Sequence, residues 1–167
     1  MSIDQDLERI ALQEARLRFP AFDATTAWTV GNRLRDAATA HGVAVSIDVT
    51  LNGHQLFFYA MPGTTPDNIE WIRRKRNVVQ RFHRSSYAVG LDLKKQQTTL
   101  TEKLGLPLQD YAPHGGCFPI RLPGTGCIGT IAVSGLPQRN DHALIVEALC
   151  GLLDQPLDEL ALGPETA

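Results

Sequence analysis

The spacing of apolar residues changes along the chain, and each change predicts a different kind of element. Apolar residues recur at steps of three and four between residues 3 and 17, and again between residues 23 and 41, which predicts two amphipathic helices. The next stretch, residues 43–61, alternates apolar and polar residues around Asn52-Gly53, a pair that strongly favours a two-residue hairpin turn. Two helices followed by a β-hairpin are therefore expected.

The predicted hairpin has two faces of different character. A two-residue turn places Leu51 opposite His54, and in that register one aliphatic face is assigned to the core, formed by Val45, Ile47, Val49, Leu51, Leu56, Phe58 and Ala60. The reverse face carries Ser46, Asp48, Thr50, Phe57, Tyr59 and Met61. Since this face is more apolar than one left to water usually is, we expect it to be covered, with another copy of the chain as the candidate.

The second half of the chain predicts further helices and a second hairpin. A helix is expected from Pro66 to about His83, and less regular helical patterns follow at residues 85–97 and 98–107. Strands are expected at residues 117–122 and 127–135, before a last helix from Asp141, capped by Asn140, to about Asp154. Because the strands form two hairpins without βαβα alternation, we predict one α+β domain over residues 1–167, a mainly antiparallel sheet flanked by helices.

Composition and charge narrow the functional classes. The 167-residue chain has a net charge of −2 and an isoelectric point near 6.2, whereas nucleic-acid and anionic-membrane binders normally carry a broad excess of Lys and Arg. We therefore expect no nucleic-acid partner and no membrane insertion. The N-terminus lacks the pattern of a secretory signal, and three cysteines cannot all be paired, so a cytoplasmic protein with reduced thiols is expected.

One segment departs from this near-neutral balance. Between Asp67 and Arg84 there are six basic and two acidic residues, with four of the basic ones in the run Arg73–Arg76. Successive helical residues point in different directions, so four in a row cannot all face one ligand. We interpret the run as a solvated helix surface, and His83 as a packed or capping residue rather than an iron ligand.

The run His114-Gly115-Gly116-Cys117 is open to several interpretations. An oxyanion loop for acyl transfer would be accompanied by a Gly-x-Ser-x-Gly elbow, which the stretch around Ser134 does not match. A zinc site would need ligands beyond His114 and Cys117, and no second such pair is available, so no metal is expected. Otherwise the two glycines supply backbone freedom where a long loop joins a strand. No catalytic residue is assigned.

Three longer stretches resemble a known family. The stretches are "HGGCFPI", "GCIGTIAVSGLPQRNDHALIVEAL" and the preceding "RRKRNVVQRFHRSS". In them the chain resembles the haem-degrading-domain family, also called GlcG/HbpS-like, and in particular its uncharacterised branch of chains of this length. The resemblance runs from about Leu7 to Leu153. It implies an α+β domain that assembles into homo-oligomers, and a ligand of the haem or corrinoid class in some members.

The resemblance also implies a candidate ligand site. The matching positions are Gly115, Gly116, Ser134, Gly135, Asp141 and His142, to which His114 is added, and a helix N-terminus beside two glycines is suited to an anion. An acid in the first turn would repel such an anion, so we expect Asp141 to cap loop N–H groups and His142 or His114 to contact the ligand. The chain has no Cys-x-x-Cys-His motif, so any haem would be held non-covalently.

Two functional hypotheses follow from these observations. The first is a homo-oligomeric cytoplasmic protein that binds haem or another small anionic ligand, with the identity of the cofactor and any enzymatic activity left open. The second is a non-enzymatic oligomeric scaffold or adaptor that recruits a protein partner. A haem titration separates the two.

Overall fold

The structure of the protein is a computed structural model that describes residues 1–165. Two helices, α1 (Ile3–Arg16) and α2 (Ala24–Ala40), precede the first hairpin, β1 (Ser46–Leu51) and β2 (His54–Ala60). Three helices follow, α3 (Pro66–Phe82), α4 (Ser86–Lys95) and α5 (Leu100–Leu104). The second hairpin, β3 (Cys117–Arg121) and β4 (Cys127–Ser134), leads into α6 (Gln138–Leu152) and the short α7 (Leu157–Leu160).

The four strands form one antiparallel sheet in the order β2-β1-β4-β3. The two hairpins meet through their first and last strands, because β1 pairs with β4 as well as with β2. The prediction of an α+β fold with an antiparallel sheet flanked by helices is confirmed. No helix within residues 1–165 is both long enough and apolar enough to cross a membrane.

The apolar face of the sheet packs against α2 and α6. Ile47 and Val49 of β1 and Ile131 and Val133 of β4 are completely buried there, beneath helical side chains that include Leu34 and Ile145. Burial of this apolar surface is the main favourable contribution to folding. The opposite face of the sheet lies under α3, which carries the basic run.

The first hairpin has a different register from the predicted one. A β-bulge between Val49 and Thr50 places Val49 opposite Phe57 and Ile47 opposite Tyr59. The extra residue shifts the register by one, and a shift of one exchanges the two faces of a strand. The assignment of Phe57 and Tyr59 to the face of Asp48 is therefore wrong, and Phe57 packs on the core side against Gly31 of α2.

The polar half of the reverse face is buried within the chain itself. Ser46, Asp48 and Thr50 are at most 1% exposed. The Asp48 carboxylate accepts hydrogen bonds from the Thr50 hydroxyl at 2.7 Å and from the Gln55 amide at 2.6 Å, and Arg76 of α3 lies 3.8 Å away. Buried polar groups need hydrogen-bonding or charged partners. This face finds them within the chain, so α3 supplies the cover that was expected from another copy.

Helix α6 begins earlier than predicted. Its first residue is Gln138, with Pro137 at the N-cap, so Asn140 lies inside the first turn instead of capping it. A proline has its φ angle fixed near the helical value and suits the start of a helix. The earlier start brings Gln138 to the loop that contains the two glycines.

Candidate functional site

The HGG loop, residues 114–116, is held tightly where it joins β3. Gly116 has a φ angle of +120°, which favours glycine. A Cβ atom at this position would lie 2.6 Å from Lys75 Nζ, 2.6 Å from the Val133 carbonyl oxygen and 2.9 Å from Asp141 Cβ. Gly116 therefore uses the backbone freedom that was expected of the two glycines, and close packing requires glycine there as well. A Cβ atom at Gly115 would lie 2.0 Å from the Gln138 carbonyl oxygen, so this position is also closely packed.

Lys75 and Asp141 form a buried ion pair behind Gly116. Lys75 Nζ donates to Asp141 Oδ2 at 2.9 Å and to the Val133 carbonyl oxygen at 3.1 Å, and the two side chains are 4% and 2% exposed. Asp141 Oδ1 accepts from the Leu136 N–H at 3.0 Å, which confirms its predicted role as a cap for the loop. Burial raises the pKa of Asp141, and the Lys75 ammonium opposes that shift.

The rest of the basic run is also engaged with protein groups. Arg73 contacts Glu70 and Asp110, each at 3.0 Å, and Arg74 donates to the Leu108 carbonyl oxygen at 2.9 Å with its guanidinium 4.7 Å from the centre of the Trp71 ring. The interpretation of the run as a solvated surface is wrong for Lys75, which is 3% exposed. Its burial depends on Asp141, a partner 66 residues away in the chain.

A polar cavity of about 390 Å³ opens beside this ion pair. Among its lining residues are four of the predicted site residues, His114, Ser134, Gly135 and Asp141. The sequence analysis missed the six others that line it, Asp67, Asn68, Trp71, Lys75, Leu136 and Gln138. Asn68, Trp71 and Lys75 are spaced by three and four residues and so share one face of α3. This spacing is the sequence signal that could have identified them as a group.

The cavity is rich in hydrogen-bonding groups near two helix N-termini. Asn68, in the first turn of α3, donates to the Ser134 hydroxyl oxygen at 3.1 Å, and the Gly115 N–H donates to Gln138 Oε1 at 3.2 Å. No side chain caps the N-terminus of α6. The positive ends of two helix dipoles therefore point toward this region, partly offset by Asp67 in the first turn of α3.

His114 is an exposed residue that lies between the polar cavity and a second cavity. Its ring meets Trp71 edge to face, with the ring centres 5.6 Å apart. Partial loss of water around the ring lowers the pKa of His114, and the charges of Lys75 and Arg74 lower it further, whereas a hydrogen bond from the ring to Gln138 opposes the shift. A neutral imidazole at pH 7 keeps a nitrogen lone pair for a metal-containing ligand.

The second cavity, on the other side of His114 and Gln138, has a volume of about 320 Å³. Its walls are mostly apolar, and we call it the leucine-rich cavity after Leu91, Leu93, Leu100 and Leu108. The site thus combines a polar half and an apolar half on either side of one imidazole.

His142 lies in a different place from the one predicted. It is completely buried on the α1 side of α6, where its Nε2 is 2.8 Å from Gln13 Oε1, and its ring packs near Tyr87 and Phe118. Burial lowers the pKa of His142 to about 3. The expected ligand contact of His142 is therefore wrong, because consecutive helical residues point about 100° apart.

Metal and nucleophile chemistry find little support in the geometry. Within residues 1–165 there is no group of three or more His, Cys, Asp and Glu side chains that could hold a metal ion. All three cysteines are free, and burial raises the pKa of the Cys117 thiol, which disfavours the reactive thiolate. What the arrangement offers is two adjoining cavities, one lined mainly by polar groups and one mainly by apolar groups.

A protein-family model described as "Haem degrading protein HbpS-like" matches residues 22–150, a range that contains all lining residues of the polar cavity. The chain belongs to this family. Its relatives include a UPF0303 protein of Azotobacter vinelandii (strain DJ / ATCC BAA-1303), 63% identical over 97% of this chain and 98% of the relative. A UPF0303 protein of Rhizobium etli (strain CIAT 652) is 57% identical over 98% of this chain and 99% of its own. The resemblance seen in the sequence motifs is thereby confirmed.

Solved structures share the fold of this chain. The Ybr137w protein shares 32% sequence identity, with a TM-score of 0.82 over 89% of this chain and 87% of its own. HbpS has a TM-score of 0.62 at 20% identity, over 81% of this chain and 92% of its own. A PduOC:heme complex has a TM-score of 0.66 at 16% identity, over 78% of this chain and 94% of its own. The last two likenesses show a shared fold alone.

Proposed function

We propose that the protein is a homo-oligomeric, cytoplasmic binding protein for a small anionic ligand, and that haem is the first ligand to test. The observation that carries the proposal is the position of His114, an accessible and neutral imidazole between a polar and an apolar cavity. Ligand pockets are typically mostly apolar, with a few polar groups that fix orientation. The cytoplasmic location is part of the proposal and rests on the three free cysteines.

The residues present fit a haem group. The leucine-rich cavity would accept the apolar macrocycle, and His114 would supply a nitrogen ligand to the iron. Carboxylate groups would find donors in the polar cavity, since a lysine ammonium has three N–H groups and Lys75 uses two of them on Asp141 and Val133. Ser134 and Gln138 add further donors. The family description and the haem complex of PduOC support this choice of ligand.

The proposal is tested by titrating the protein with haem and following the Soret band. We expect binding with a dissociation constant in the micromolar range or lower, and a loss of about tenfold, or about 1.4 kcal/mol, for His114→Ala. His41→Ala is the matched control, because His41 is exposed, pairs with Glu147 and lines neither cavity. A gradual decay of the Soret band in the presence of a reductant would add haem degradation to binding.

A second titration separates the iron contact from the carboxylate contacts. Protoporphyrin without iron keeps the carboxylates and the macrocycle but has no axial ligand position. His114→Ala should weaken haem binding and leave protoporphyrin binding unchanged, whereas Ser134→Ala should weaken both. If wild-type protein gives no Soret shift, haem is excluded as the ligand.

The alternative function is a scaffold or adaptor that recruits a protein partner. The observation in its favour is a set of exposed apolar side chains, with Trp28 at 65% and Leu108 at 57%. Aromatic residues are enriched at protein interfaces. The failure of the haem titration, together with an oligomeric wild type, would favour this function.

A further inference from the structure

The two edge strands of the sheet, β3 and β2, differ in whether other segments of the chain cover them. The outer edge of β3 is covered: the Cys117 N–H donates to the Ser86 hydroxyl at 3.1 Å, and the Phe19 N–H donates to the Arg121 carbonyl oxygen at 3.0 Å. Within residues 1–165, no backbone group of β2 bonds to any segment other than β1. Five of the seven residues of β2 are exposed. One edge is closed by the chain and the other is open.

The open edge lacks the usual protection against pairing. Exposed edge strands normally carry lysines, prolines or inward-pointing charges, which prevent them from pairing with another strand. Residues 51–66 contain no Asp, Glu, Lys or Arg in a chain that is 20% charged, and β2 contains no proline. The one bulge lies near the turn, between Val49 and Thr50, and leaves residues 57–60 in regular pairing.

Large aromatic side chains are exposed on both faces of this edge. Phe58 and Tyr59 are each 39% exposed and, as neighbours in a strand, point to opposite faces. Trp28 of α2 lies beside them, edge to face with Phe57 at a ring-centre distance of 5.8 Å. A strand added to this edge would cover apolar surface on both faces of the sheet.

We propose that β2 pairs antiparallel with β2 of a second copy of this chain across a two-fold axis, which joins two four-stranded sheets into one continuous sheet. This inference rests on the homo-oligomeric part of the proposed function and names its interface. A second copy is the occupant that fits, because two identical charge-free edges pair without like-charge repulsion. Such an edge also offers no charge by which to select a different partner. A two-fold interface is closed, so both copies lose their open edge.

Light scattering coupled to size exclusion measures the assembly state of the wild type and of Phe58→Lys. The wild type is expected at a multiple of the 18.3 kDa chain mass. Phe58→Lys brings two like charges together at the pairing edge, so we expect the dissociation constant of the β2 contact to rise about a hundredfold or more. Leu12→Lys is the matched control, because Leu12 of α1 is 40% exposed, as Phe58 is, and lies on another surface.

Hydrogen exchange of the wild type gives an independent readout that needs no substitution. Edge amides without partners exchange rapidly, and pairing protects them. Amides of residues 54–60 should become slower to exchange as protein concentration rises, while the covered β3 stays equally protected throughout.

The possible results separate this inference from the proposed function. A wild-type monomer at micromolar concentration would overturn both the homo-oligomer and its interface. An oligomer that Phe58→Lys leaves intact, with rapid exchange at residues 54–60, would overturn the β2 interface alone. The haem titration depends on neither result, because both cavities lie away from β2.

Discussion

Asp141 and His142 are consecutive residues of α6, yet they belong to two different buried regions. Asp141 faces α3 and the HGG loop, where its carboxylate pairs with Lys75 and borders the polar cavity. His142 faces α1, where its ring lies close to Gln13 and Phe118. Both residues are at most 1% exposed, so burial does not distinguish a ligand site from a packing site.

The difference lies in charge and in the space next to each group. Lys75 Nζ uses two of the three N–H groups of an ammonium on Asp141 and Val133, and the polar cavity lies beside it. His142 is held neutral by burial, and its Nδ1 has no partner within the described residues. A charged pair beside a cavity can serve a ligand, whereas a neutral enclosed ring serves the contact between α1 and α6.

The largest effect is expected from breaking the ion pair on the cavity side. Asp141→Ala leaves the buried Lys75 without its carboxylate partner and with only the Val133 carbonyl oxygen as acceptor, which should lower the free energy of unfolding by about 3–5 kcal/mol in urea titrations. The control is the double substitution Lys75→Met with Asp141→Leu, which buries no charge and should cost less than Asp141→Ala alone. A cost below about 1 kcal/mol for Asp141→Ala would mean that Lys75 reaches water.

Gly116→Ala should have the next largest effect, because it places a methyl group against the same ion pair. Overpacking and a positive φ angle together are expected to cost about 2–4 kcal/mol of unfolding free energy. Gly124→Ala is the matched control, since Gly124 has a φ angle of +78° with no atom within 4 Å of the added Cβ. Equal costs for the two substitutions would show that conformation alone matters and that the packing around Gly116 adjusts.

The His142 side of the comparison can be tested by pH. The pKa of His142 is about 6.5 when unfolded and about 3 when folded, so between these values the unfolded state binds more protons. The free energy of unfolding should therefore fall as the pH falls, by up to about 1.4 kcal/mol per unit, or about 2 kcal/mol at about pH 5. Urea titrations should show that His142→Gln removes this dependence and that His41→Gln retains it. The same dependence in His142→Gln would assign it to other groups.

Local signals in the sequence predicted the elements, while long-range contacts decided the site. Asn52-Gly53 and the change of apolar spacing predicted the first hairpin because both act within a few residues. The bulge at Val49 and Thr50 was not predicted, since the two-residue turn fixes the register only next to the turn, at Leu51 and His54. It reversed the face assigned to Phe57.

The candidate site was predicted only in part, for the same reason. Ser134 and Asp141 were placed together by family resemblance, with His114 added to them, and all three line one cavity. Lys75 was assigned to solvent because its neighbours in the run are basic, and only the fold brings Asp141 to it. The choice between Asp141 and His142 depended on the rotation of α6, which single-sequence patterns fix poorly.

The smallest expected effect concerns the pH dependence of haem binding at His114. Because the pKa of His114 is lowered from 6.5, the ring is neutral at pH 7, and haem affinity should be constant around that pH. As the pH falls through the lowered pKa, a proton competes with iron for the ring nitrogen, and affinity should drop by about tenfold in total, to the level of His114→Ala. His114→Ala should bind about tenfold more weakly than wild type at pH 7 and show no such drop in Soret titrations. Protoporphyrin without iron provides the control in the wild type, since it should bind equally well across this range. An unchanged drop in His114→Ala would mean that another group titrates, and His114 would then border the cavity without contacting the iron.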